Sequence, residues 1–189
     1  MGHRNSLKQA LVLTSGGIDS AACAFLLKSS GFRVRGFFVD FNQAARRQEE
    51  SACRNMLRVL NVPFSKCIVR IPSSKYRAGE IKGRNAFLVM TALLSNQIDR
   101  GVVALGIHSG TPYFDCSPRF LRQLDLLVQN YSSGLVSVVA PFLSWKKGDI
   151  VNYFRDNELP ITKTYSCETG SVPPCGKCLS CRDRRILKI

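Results

Sequence analysis

Ser15-Gly16-Gly17-Ile18-Asp19-Ser20 is the stretch that decides how this chain folds. The apolar run Ala10-Leu11-Val12-Leu13 leads into it, and Ala21-Ala22-Cys23-Ala24-Phe25-Leu26-Leu27 leads out. A short apolar run, two glycines and a helical apolar pattern read as a buried strand, a tight turn and a helix N-terminus. The glycines permit the turn and allow a ligand close to the backbone. The first N–H groups of a helix have no internal partner and lie at the positive end of its dipole, so the turn is a candidate anion site. Ser15 and Ser20 add hydroxyls, and Asp19 can hold a metal ion or meet a cation.

The stretch is not a Walker A loop, because no Gly-Lys-Ser/Thr follows, and it is not a G-x-G-x-x-G fingerprint. It resembles the PP-loop of the ATP pyrophosphatase superfamily. That resemblance implies cleavage of ATP between the α and β phosphates, with adenylation of a substrate oxygen and release of pyrophosphate.

Downstream, Phe32 to Val39 reads as a strand, Ala44 to Leu60 as a helix burying Ala52, Met56, Leu57 and Leu60, and Phe64 to Ile71 as a third strand. This β-α-β-α-β order predicts an α/β fold with a doubly wound parallel sheet. Pro72 to Lys82 reads as a loop, mobile in composition and placed to close over a site. Helices are expected over Arg84 to Ile98, Pro118 to Ser132 and Lys147 to Asn157, and strands over Val102 to Gly106 and Val136 to Val139. Gly106-Ile107-His108-Ser109 and the turn-rich stretch to Cys116 lie where such sheets bind ligands, beyond the carboxyl end of a strand. His108, following that strand end, has two readings, a residue facing the site and a satisfied loop histidine, and the second is preferred. No repeat or low-complexity segment interrupts the pattern, and the 189 residues are expected to form one domain, 1–189, ending in a cysteine segment, 165–182.

The chain carries 27 Lys and Arg against 13 Asp and Glu, a net charge of +14. That favours anionic partners: nucleotide first, then nucleic acid or an acidic protein surface. No apolar run is long enough to span a membrane. The first residues carry no secretory signal, so a cytoplasmic setting is expected. Met1-Gly2-His3-Arg4-Asn5-Ser6 fits the loose myristoylation pattern and reads as chance.

Of eight cysteines, Cys23 and Cys53 read as core thiols, whereas Cys167, Cys175, Cys178 and Cys181 cluster. The spacing C-x7-C-x2-C-x2-C suits a tetrahedral thiolate site, and Gly176 permits a tight knuckle. With every position filled by protein, structural Zn2+ is expected, and an iron–sulfur cluster is the rival.

A PP-loop, Gly83-Arg84-Asn85 opening a middle helix, Asp115-Cys116 after the fourth strand, Lys147 in Lys-Gly-Asp-Ile, and the four-cysteine knuckle stand here in one order. In that order they resemble the QueC-type 7-cyano-7-deazaguanine synthases, from about Leu11 to Cys181. The resemblance implies an ATP- and Mg2+-dependent C–N ligase that takes a deazapurine carboxylate, 7-carboxy-7-deazaguanine, and ammonia through an adenylate to an amide and then a nitrile. It implies ATP contacts at Leu13, Thr14, Ser15, Gly16, Gly17, Asp19, Ser20, Phe38 and Gly106. Catalytic roles fall to Ser15, Asp19, Ser20, Arg84 and Lys147, and substrate contacts to Gln43, Arg84, Asn85 and Asp115.

Where family members show Tyr-Gly-Gln followed by basic residues, this chain has Phe41-Asn42-Gln43-Ala44-Ala45. Ala21 replaces a frequent hydroxyl residue, and the sequence ends soon after the knuckle. These departures leave the acceptor, the final product and the assembly, a homodimer included, open. QueC-like proteins also occur in antiphage defence, where a deazapurine is joined to a protein partner. A tRNA-modifying PP-loop sulfurtransferase and a noncatalytic nucleotide- or partner-binding module are the alternatives.

Overall fold

Alternation along the first strand sets the architecture. In the computed structural model, which describes residues 8–71, 79–95 and 97–189, β1 (Gln9–Leu13) sends Ala10 and Val12 to one face and Leu11 and Leu13 to the other. Successive side chains of a strand point oppositely, so a strand apolar on both faces must be covered on both. The myristoylation-like pattern and residues 72–78 of the predicted loop lie outside the described residues.

On one face, α1 (Ile18–Ser29), α2 (Arg46–Val59) and α5 (Lys147–Asp156) bury Ile18, Ala22, Met56, Leu57, Ile150 and Phe154. On the other, α3 (Arg84–Leu94) and α4 (Pro118–Tyr131) bury Val89, Ala92, Phe120, Leu124 and Val128. The sheet adds β2 (Arg33–Asp40), β3 (Phe64–Ile68), β4 (Gly101–Leu105) and β5 (Val136–Val139) in the order β3-β2-β1-β4-β5, all pairs parallel. The doubly wound reading is borne out.

The order reverses between β1 and β4. Crossovers leave β1 toward one edge and return at β4 toward the other, opening a crevice beyond the carboxyl ends of both strands. The crevice lies where the glycine turn and the Gly106 loop begin.

α2 is trimmed at both ends of its expected span, and two elements stop three or more residues early. α3 stops at Leu94 instead of Ile98: the Ser95 hydroxyl turns back to the Thr91 carbonyl at 2.6 Å, and the Gln97 N–H closes on the Ala92 carbonyl at 3.1 Å, five residues back instead of the four of an α-helix. β3 stops at Ile68, which pairs with Asp40, the last residue of β2. One helix was not foreseen. α6 (Leu179–Ile186) follows the cysteine knuckle, with Cys178 as its N-cap residue and Cys181 buried. Among the described residues, no helix is long and apolar enough to cross a membrane.

Candidate active site

The turn after β1 is braced from within. Ser20 Oγ accepts from Ser15 N at 3.2 Å and donates to the Gly17 carbonyl at 3.2 Å, so the serine that closes the motif holds the loop against the first turn of α1. Gly16 has φ +75°, and a Cβ there would stand 2.6 Å from the Glu49 carbonyl and 2.8 Å from Ala52 Cβ. The close approach that requires this glycine is therefore to α2. A second forced glycine stands across the crevice. A Cβ on Gly106 would meet Asp19 C and Ser20 N at 2.8 Å, so the end of β4 and the start of α1 touch backbone to backbone.

A cavity of about 310 Å³ fills the crevice. Of the residues expected at the site, Leu13, Thr14, Ser15, Gly17, Asp19, Ser20, Phe38, Gln43, Arg84, Asn85, Gly106 and Lys147 line it. Gly16 and Asp115 stand behind the wall. Gly16 is turned toward α2, and Asp115 is buried beneath Asn85, whose N–H reaches Asp115 Oδ2 at 3.4 Å and whose side-chain amide donates to the Asp115 carbonyl at 2.9 Å. Asp115 thus caps the start of α3 from another element.

Beside the glycine turn, Lys147 Nζ donates to Asp19 Oδ1 at 2.6 Å and also reaches Oδ2. Lys147 is delivered by the first turn of α5, which Asp149 fixes by accepting from Lys146 N at 2.9 Å. The Asp19 carboxylate is the oxygen donor at the start of α1, and one such carboxylate with phosphate oxygens is a usual set for Mg2+. Thr14 Oγ1 is buried, lies within reach of the Cys53 thiol, and finds no oxygen or nitrogen partner among the described residues. Cys23 and Cys53 are core thiols as expected, both pushed up to about 12 chiefly by burial.

Arg84, the first residue of α3, faces the same cavity and makes no ion pair within 4.0 Å among the described residues. Gln43 is spent on structure. Its carbonyl oxygen accepts from Phe41 N at 3.0 Å, and its amide donates to Val39 O at 3.3 Å and to Glu49 Oε2 at 2.9 Å. Phe41, Leu88, Ile81 and Tyr113 add apolar and aromatic lining to the cavity that Arg84 and Asn85 also face.

Sequence reasoning missed several wall residues. Glu49 lines the cavity, and burial pushes its carboxyl up against the opposing effects of the Gln43 hydrogen bond and the Arg84 charge. His108 is the satisfied loop histidine expected, its Nδ1 accepting from Gly110 N at 3.0 Å, and from that loop it also faces the cavity. Burial lowers it, with Asp19 and Asp183 opposing and Lys147 adding to the shift. Ser166, Asp183 and Arg184 come from the knuckle region. The cysteine pattern and the basic cluster of Arg182, Arg184, Arg185 and Lys188 pointed toward that segment, but neither indicated that it turns back over the loop.

That return is explicit: Tyr165 N donates to the Gly16 carbonyl at 2.9 Å. Beyond it the four cysteine sulfurs lie within 4.8 Å of one another. Sulfurs around one tetrahedral Zn2+ with bonds of about 2.3 Å would be about 3.8 Å apart, so the cage fits a single ion. Backbone N–H groups of Cys175, Lys177 and Cys178 point at sulfur at 3.3 to 3.5 Å. Burial pushes the Cys167 thiol up, but the Cys175 N–H and the hydroxyls of Thr169 and Ser171 outweigh it and hold the thiol at about 4, suited to a thiolate ligand.

The family model for the queuosine biosynthesis protein QueC matches residues 9–75 and 69–186. A 7-cyano-7-deazaguanine synthase of Persephonella marina is 32% identical, the alignment covering 92% of this chain and 89% of that protein. One from Aquifex aeolicus is 28% identical over 92% and 93%. Among solved structures, NMN synthetase from Francisella tularensis matches with TM-score 0.51 and 16% identity over 87% of this chain and 68% of the other. A protein described as a predicted subunit of tRNA methyltransferase from Methanocaldococcus jannaschii matches with TM-score 0.56 and 14% identity over 79% and 76%. At these identities the structural matches speak to the fold alone.

Proposed function

The chain belongs to the QueC family, and from that premise we propose that it activates the carboxylate of a 7-deazaguanine with ATP and passes it to ammonia. The observation that carries the reading is the single cavity that gathers the Ser15–Ser20 loop, the Asp19–Lys147 pair and Arg84 at the switch point of the sheet.

A carboxylate is a poor electrophile. Its oxygen attacks the α-phosphorus of ATP, the bond to the β-phosphate breaks, and pyrophosphate leaves. Ammonia then adds to the acyl carbon, loses a proton, and expels AMP to give the amide. In a second round the amide oxygen attacks the α-phosphorus of another ATP, pyrophosphate leaves, and loss of AMP and protons gives the nitrile. Ser15, the Gly17 turn and the first N–H groups of α1 receive phosphate oxygens. Lys147 neutralises charge growing on the departing group. Asp19 would hold Mg2+, which would supply further charge neutralisation for the phosphates. Arg84 orients the carboxylate with its planar fork. Asn85, positioned by Asp115, and the apolar wall hold the heterocycle.

The cysteine cage serves as a structural Zn2+ site, and its tie to Gly16 supports reading residues 165–182 as part of one ATP-binding unit. Isotope exchange between pyrophosphate and ATP, measured with and without 7-carboxy-7-deazaguanine, tests the first step. Exchange that requires the carboxylate supports the reading, and no exchange under any condition overturns it.

A further inference from the structure

Arg184 lines the cavity as a cation with no carboxylate partner, the Cys181 sulfur being the negative group that acts on it. Among the described residues no carboxylate lies within 4.0 Å of it. It is half-buried, and its Nη1 donates to Thr164 Oγ1 at 2.9 Å and to Ser166 Oγ at 3.3 Å. Thr164 Oγ1 itself donates to the Ile161 carbonyl at 2.6 Å, so the acceptor is fixed. Ser166 Oγ in turn lies 4.0 Å from where a Cβ on Gly17 would stand. The guanidinium therefore borders the glycine turn through one serine.

Its position is rigidly set. Cys181 anchors α6 in the cysteine cage three residues earlier, and Arg155 Nη2 donates to the Leu187 and Lys188 carbonyls at 3.1 and 3.3 Å, clamping the other end onto α5. Burial disfavours the charge on Arg184, and the Cys181 sulfur only partly offsets it. A half-buried guanidinium supported by two neutral hydroxyls and aimed into a cavity is stabilised when an anion arrives. Arg84 stands on a different element, beside Asn85. The two unpaired arginines therefore serve different groups.

We propose that Arg184, with Ser166, forms a pyrophosphate subsite facing the glycine turn, and that the cysteine cage exists to place it. The inference rests on the ATP-using reading above and adds a ligand-binding residue outside the loop. The β and γ phosphates bind between the turn and α6, and the leaving group is stabilised from both sides. The α-phosphate and adenosine owe nothing to Arg184.

Calorimetric titration of the metal-loaded protein with inorganic pyrophosphate, ATP and AMP tests this. For Arg184→Gln, pyrophosphate and ATP affinity should fall about 10- to 100-fold, as expected for loss of a charge-assisted contact, with AMP affinity within about twofold. Metal content and melting temperature should match the parent protein. Unchanged pyrophosphate affinity overturns the proposal, and so does an equal fall for AMP, which marks a structural role. If Arg184→Gln loses metal or unfolds, Ser166→Ala carries the test, because it keeps the charge and frees the guanidinium. Pyrophosphate affinity should then fall about 3- to 10-fold with AMP unchanged, and no fall overturns the proposal. Failure of the parent protein itself to bind ATP would instead overturn the ATP-using reading.

Discussion

Gly106→Ala tests whether the crevice is held together as described. The added Cβ would lie 2.8 Å from Asp19 C and Ser20 N and 2.9 Å from Asp19 O, against an ordinary contact distance of 3.4 Å. All three neighbours are backbone atoms, so no rotamer change relieves the clash. β4 and the start of α1 must separate by about 0.6 Å, the shortfall between those distances. Overpacking of this kind costs about 1–3 kcal/mol, which in a chain of this size lowers Tm by roughly 2–12 °C. The same shift moves Asp19 and the helix N-terminus away from Lys147, and a misplacement on that scale should slow adenylate formation roughly tenfold or more. Gly148→Ala is the matched control. Nothing lies within 4 Å of its Cβ position, and it sits in the first turn of α5, where alanine gains up to about 1 kcal/mol in helix propensity. Differential scanning fluorimetry and pyrophosphate exchange read both variants. A Gly106→Ala protein with parental Tm and rate, or one no worse than Gly148→Ala, would refute the packing argument.

Lys147→Met should cut the exchange rate about 10²- to 10³-fold in steady-state assays while Tm changes little, since the lysine is valued at the transition state. Chelation of the metal should release residues 165–189, because the eight-residue α6 is too short to persist alone; hydrogen exchange should rise there while the strands stay protected. Burial raises Glu49, so the folded protein holds a proton that the unfolded chain gives up, and stability falls as pH rises from the ordinary carboxylate range through the raised folded value. Glu49→Gln should flatten that part of the profile of Tm against pH, and a parental slope would contradict the assignment.

The core of the fold was legible because its signals are local. The strand, turn and helix around Ser15–Ser20 need only a change of period and two glycines, and β5 appeared at its expected bounds because Val136 to Val139 is short and β-branched. α6 was not legible. Its sequence, Leu-Ser-Cys-Arg-Asp-Arg-Arg-Ile, is mostly polar, and its stability comes from the cysteine cage and the Arg155 clamp. The site followed the same division. Ser15, Asp19 and Lys147 sit in motifs and His108 follows a strand end, whereas Glu49 and Arg184 reach the cavity only through packing of distant segments. Gly16 shows the limit of a correct motif: the residue is required, but for contact with α2.

The central claim is that a substrate carboxylate oxygen attacks the α-phosphorus of ATP. With 7-carboxy-7-deazaguanine labelled with 18O in the carboxylate, together with ATP, Mg2+ and ammonia, mass spectrometry of the AMP tests it directly. Adenylation followed by amide formation places one 18O in each AMP from the first round, whereas AMP without label, or no AMP at all, would contradict it.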